Sequence, residues 1–80
     1  MHELGALSLA IKTVNQIAEK NRIKHVNFIT LEIGKESSFV PEYFFKLYPI
    51  AIDGLPRLKK SELKIEIVDG NKLNIKEIGY

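Results

Sequence analysis

Leu4, Leu7, Ile11, Val14 and Ala18 recur at steps of three and four residues, and Ala10 and Ile17 widen the stripe. This spacing predicts a helix over 3–20 with one apolar face. Lys12, Asn15, Gln16, Glu19 and Lys20 fall mostly off that face. Asn21 suits a helix stop, and Lys20 and Arg22 suit the negative end of the helix dipole. Glycine inside a helix costs roughly 1 kcal/mol relative to alanine; Gly5 lies near the end, where the cost is smaller and the first turn stays adaptable. The period then shortens to two. Ile29, Leu31 and Ile33 alternate with Phe28, Thr30 and Glu32, which predicts a strand over 25–34 closed by Gly34. With Val26 and Phe28 on its second face, this strand is apolar on both sides at its start.

Val40-Pro41-Glu42 opens a second helix: proline fits the first helical position, and the acid beside it complements the positive helix end. Tyr43, Phe44, Phe45, Leu47, Tyr48, Ile50 and Ile52 crowd this helix, with Phe44, Leu47 and Tyr48 at core-facing spacing. The remainder reads either as further core or as a partner interface. Pro49 predicts a stop or kink near Tyr48. Residues 53–61 form a loop with Gly54 and Pro56. Leu63, Ile65 and Ile67 then alternate with Lys64 and Glu66 over 62–68. Asp69-Gly70-Asn71 is a turn signal, and Lys72 to Ile78 makes the next strand, so the two strands are expected to pair as a hairpin. The expected fold class is α+β, in the order α-β-α-β-β, with two helices packed on one face of a three-stranded sheet.

Eighty residues with this pattern make one small domain with a thin core. No cysteine is present, which excludes a disulfide framework, a zinc ribbon and a thiol nucleophile. No apolar run reaches membrane-spanning length, and polar residues interrupt any signal-like pattern over 1–20. A cytoplasmic protein without a membrane partner is expected. Twelve basic against 10 acidic residues leave a net charge of +2 with the signs interspersed. That balance does not call for nucleic acid. The one local cluster, Arg57, Lys59, Lys60 and Lys64, reads as a solvated loop or as a phosphate-binding patch. Ser37, Ser38 and Ser61 have no histidine at motif spacing, so no enzyme is expected.

The candidate chemistry lies at the start of the chain. Met1, His2 and Glu3 place an amine, backbone amides, an imidazole and a carboxylate side by side. Ni(II) and Cu(II) favour such nitrogen-rich tetragonal sites. Binding through an amide nitrogen requires that it lose its proton, so affinity depends on pH. The alternative is an exposed, frayed terminus, and the positive helix end opposes a cation unless Glu3 or deprotonated amides offset it. His25, at the entrance of the first strand, reads as a surface histidine or as a ligand.

Four segments together resemble the HypA/HybF family of nickel metallochaperones: Met1-His2-Glu3-Leu4, Leu31-Glu32-Ile33-Gly34, Val40-Pro41-Glu42, and the run from Ile67 to Ile78 through Asp69-Gly70-Asn71. The resemblance implies Ni(II) bound by the Met1 amine, the His2 imidazole and amide, and Glu3, provided Met1 is retained. It also implies two partners, a nickel-insertion GTPase and a hydrogenase precursor. The family carries a zinc module on paired Cys-x-x-Cys motifs ahead of its C-terminal strand. Here a tight Asp69-Gly70 turn stands in its place and no zinc is expected; the strand at 62–68 matches either the strand before that module or the one after it. Residues 1–80 are thus expected to be a single nickel-binding domain with the zinc module absent. A metal-free interaction module on the same fold is the alternative, and the sheet edges leave room for a homodimer.

Overall fold

The computed structural model describes residues 2–80. Helix α1 spans Glu3–Lys20, strand β1 Phe28–Gly34, helix α2 Pro41–Ala51, strand β2 Glu62–Val68 and strand β3 Leu73–Gly79. A short 3-10 turn, Pro56–Leu58, precedes β2. The expected α+β class and element order hold, with the helices packed on one face of the sheet.

The pairing of the strands differs from the expected hairpin. The sheet order is β2-β1-β3, with β1 parallel to β2 and antiparallel to β3. β2 and β3 follow each other in the chain but do not pair; β1 lies between them. Burial explains the choice. Ile29, Leu31 and Ile33 are fully buried and Thr30, on the other face, is nearly so, and a strand buried on both sides belongs in the sheet centre. The α2 segment supplies the long connection that a parallel pair needs.

The link over 69–72 therefore crosses the end of β1. Gly34 N–H donates to the Lys72 carbonyl at 2.8 Å, Lys35 N–H to Val68 at 2.8 Å and Glu36 N–H to Gly70 at 2.9 Å. Gly34 has to be glycine here: a Cβ would overlap the Gly70 carbonyl and come within 2.7 Å of the Asn71 nitrogen.

Register places one face in line. Ile29 stands beside Leu63 and Ile78, Leu31 beside Ile65 and Ile75, and Ile33 beside Ile67 and Leu73. Against it α1 packs Leu7, Ala10, Ile11, Val14 and Ala18, and α2 packs Phe44 and Tyr48. Ile67, expected inward, is 54% exposed, because it lies at the open end of an edge strand. The α1 stripe begins at Glu3, which is buried, and not at Leu4, which is 44% exposed.

The expected stop of α1 at Asn21 holds, while the end of α2 differs from expectation. α1 ends as Asn21 caps it and Arg22 takes a left-handed φ of 56°. Ile23 N–H returns to the Ala18 carbonyl at 2.8 Å and Arg22 N–H to Glu19 at 3.2 Å, a Schellman closure built without glycine. α2 runs through Pro49 to Ala51 instead of stopping near Tyr48. Proline's φ is already helical; what it loses is a hydrogen bond to residue 45. Both Phe45 and Pro49 are exposed, so water can serve that carbonyl.

Candidate metal centre

α1 and the start of α2 meet at one end of the molecule. Glu3 and Leu7 are four residues apart, so both point inward. The Glu3 carboxylate is thereby carried against Val40, the residue that caps α2, and its Oε2 accepts the Val40 N–H at 2.9 Å. This satisfies a donor that no side chain of Val40 could serve. The positive amino terminus, two residues away along the chain, is the first cause holding the Glu3 carboxyl below its ordinary 4.5, and the Val40 amide is the second; burial works against both.

His2 is exposed and sits at the N-cap of α1 with φ 64° and ψ 31°. Its carbonyl accepts the first helical hydrogen bond, from Ala6 N–H at 3.1 Å. Its imidazole makes no capping hydrogen bond. A left-handed backbone costs a non-glycine residue about 1–2 kcal/mol. The amides of residues 2 to 5 precede that first bond and so lack a partner one turn back. An uncommitted imidazole thus lies beside backbone nitrogens free of the helical ladder, the donor types an amine–amide–imidazole chelate uses.

Met1 lies outside the described residues. Of the three sequence candidates, His2 is available to a ligand. The Glu3 carboxylate is engaged with the Val40 amide and with the amide of Glu3 itself. Among the described residues no three histidine, aspartate or glutamate side chains converge on one point. A metal held by the His2 imidazole would need backbone nitrogens to complete its ligand set.

His25 is not near this end. An 18-residue helix is about 27 Å long, and His25 follows five residues after its last turn. It lines a cavity of about 370 Å³ with Arg57, Lys59 and Lys60. Sequence reading kept His25 and the basic cluster apart; the bond from Val26 N–H to the Arg57 carbonyl, 2.9 Å, brings them together. Lys64, grouped with that cluster in the sequence, lies on the sheet instead, its Nζ 4.0 Å from the centre of the Phe28 ring. The anchoring role of Glu3 was also missed, although its four-residue spacing from Leu7 is a sequence signal for it.

The family model described as "Hydrogenase/urease nickel incorporation, metallochaperone, hypA" matches residues 1–78. Comparison with curated proteins gives no match. Among solved structures, the solution structure of the Ni metallochaperone HypA from Helicobacter pylori superposes with a TM-score of 0.88. The alignment covers 99% of this chain and 97% of that one at 15% identity, a level at which it speaks for the fold alone.

Proposed function

The chain belongs to the HypA family of hydrogenase and urease nickel-incorporation metallochaperones, and from this premise we propose that it carries Ni(II) on its first three residues and passes it to a maturation partner. The family match carries the proposal, because it runs from residue 1 and so includes the terminal group. The arrangement at α1 supports it: His2 is exposed and uncapped, and the first-turn amides lie outside the helical ladder.

In this reading the nickel is cargo. The Met1 amine, the His2 amide and the His2 imidazole close fused chelate rings, and the Glu3 amide completes the set. Glu3 acts through its carboxylate as well, by fixing where α1 begins relative to α2. Each amide that binds must release its proton, so loading strengthens as pH rises. An exposed site at a chain end can be reached by a second ligand set, which suits transfer. The nickel-insertion GTPase and a hydrogenase or urease precursor are the proposed recipients. With no cysteine in the chain, residues 1–80 would do this as a single nickel-binding domain without the zinc module.

The test is a Ni(II) titration of untagged protein, followed by calorimetry and absorbance, beside His2→Ala. One equivalent bound with a square-planar absorption band, lost in His2→Ala, is expected. Binding unchanged in His2→Ala would remove the terminal site. No binding by the untagged protein would favour the metal-free interaction module.

A further inference from the structure

At the end of the molecule opposite His2, the chain between α2 and β2 is held firmly. Leu58 is fully buried. The Tyr48 hydroxyl and Ser61 Oγ lie 2.6 Å apart, and Ser61 Oγ donates to the Leu58 carbonyl at 2.6 Å. Burial raises the Tyr48 pKa, with the Ser61 hydrogen bond opposing it, so the hydroxyl stays protonated across the physiological range. Glu62 N–H donates to the Asn27 carbonyl at 2.9 Å. Leu58 is thus an inward anchor, and Arg57, Lys59 and Lys60 flank it on the surface within one turn.

These cations face the cavity that His25 completes, and no carboxylate lines it. Among the described residues, none of His25, Arg57, Lys59 or Lys60 has an ion-pair partner. A second cavity, about 510 Å³, adjoins it through Pro56 and Lys59; Pro49, Ile52, Gly54 and Leu55 wall it, and Asp53 is its one acid against the three cations and His25 next door. Apolar and basic cavities therefore share a wall.

We infer that these joined cavities dock an acidic segment of a partner protein, with a large apolar side chain seated against Ile52 and Leu55 and carboxylates beside His25, Arg57, Lys59 and Lys60. Charge complementarity selects the acidic partner. The apolar cavity selects a peptide over a phosphate or a nucleic acid: inorganic phosphate has no group to fill it, and no Phe, Tyr or Trp lines either cavity, which leaves the His25 imidazole as the one ring on which a base could stack. Three-residue turns offer no row of amides for a phosphate, and here a proline begins the turn. The inference is independent of the nickel site, which lies at the other end.

The experiment uses metal-free, 15N-labelled protein and an amidated, acetylated peptide in which pairs of glutamates flank single leucines. Amide shifts confined to residues 25–27 and 52–60 are expected. The double substitution Lys59→Glu with Lys60→Glu removes two attractions and adds two repulsions, so affinity should fall about tenfold or more. Salt raised from about 0.05 M to 0.5 M should weaken binding as well. A peptide with serine for leucine should bind about tenfold less tightly. Both lysines are exposed, so the variant should keep the dispersed spectrum of the parent. No shifts at about millimolar peptide, shifts elsewhere, or binding indifferent to the double substitution would overturn the inference. So would inorganic phosphate moving the same resonances as tightly, or a single-stranded oligonucleotide binding more tightly than the peptide. Because no nickel is present, failure here leaves the metal proposal untouched, and failure of the nickel titration leaves this one untouched.

Discussion

The two histidines of this chain stand at opposite ends of α1 in opposite surroundings. At one end His2 lies beside backbone amides outside the helical ladder and the buried Glu3 carboxylate. At the other, His25 shares a cavity with three cations and no acid. The same side chain is proposed to meet a metal cation in the first case and an anion in the second. The difference lies in what the neighbouring backbone is doing: at the helix start amides are left over from the ladder, whereas around His25 the amides of Val26 and Glu62 are used to pin two segments together. The proposed chemistry at the first end combines one side chain with the main chain, and at the second it comes from side chains.

The sharpest way to break this contrast is to remove each histidine in turn. Loss of an outer partner of a metal ligand costs about 10- to 100-fold in affinity, so loss of the imidazole itself in His2→Ala should cost about 100-fold or more. His25→Ala should leave nickel affinity unchanged. Parallel Ni(II) titrations measure both; an equal loss in the two variants would mean that the ends are not separate sites.

The next effect is on the architecture that closes the His2 end. Gly34 sits under the link from β2 to β3, and Gly34→Ala puts a methyl into the Gly70 carbonyl. Overpacking of this kind costs about 1–3 kcal/mol, or roughly 4–8 °C in Tm for each kcal/mol in a domain of this size. Thermal unfolding measures it. Gly54, which has open space around its Cβ position but a φ of +80°, is the control at the other end: its alanine variant should show the left-handed backbone penalty of about 1–2 kcal/mol with no clash added to it.

How far these features were legible follows from their range in sequence. The period of α1, the alternation in β1 and β2, and the Val40-Pro41-Glu42 start are local, and each element was predicted within a few residues of its place. The Asp69-Gly70 signal marked a real chain reversal, yet a turn does not say whether its flanking strands touch. That was decided by β1, whose fully buried Ile29, Leu31 and Ile33 and nearly buried Thr30 claimed the centre of the sheet. The terminal group was legible as a set of donor atoms, and its family resemblance holds. The cavity around His25 was not, because it joins segments some thirty residues apart through backbone bonds that no side-chain pattern announces.

A smaller effect distinguishes the two functions of Glu3. Glu3→Gln keeps an oxygen for the Val40 N–H and removes the charge. The native carboxyl titrates below its unfolded value of 4.5, so its contribution is complete above that pH and is lost as pH falls through the lower, folded value. The variant should therefore be less stable than the parent at neutral pH, and the two should converge on acidification. Urea unfolding at several pH values tests this; a constant gap across the acid range would mean that the charge contributes nothing and that the hydrogen bond alone anchors the helix start.

The smallest effect on stability and nickel belongs to the charge reversals at the far end. Lys59 and Lys60 are exposed and have no ion-pair partner among the described residues, so replacing them by glutamate breaks no ion pair. Surface changes of this kind usually stay within about 0.5 kcal/mol of the parent. At a distance of about 27 Å along α1, well beyond the Debye length of roughly 8–10 Å near physiological salt, they should not alter Ni(II) affinity either. Peptide binding should fall while unfolding midpoint and nickel titration stay where they were. If Lys59→Glu with Lys60→Glu shifted the nickel titration at ordinary ionic strength, screening could not account for it. The two ends would then be coupled through the packing of α1 on β1, and a partner docked at one end would act on the metal at the other.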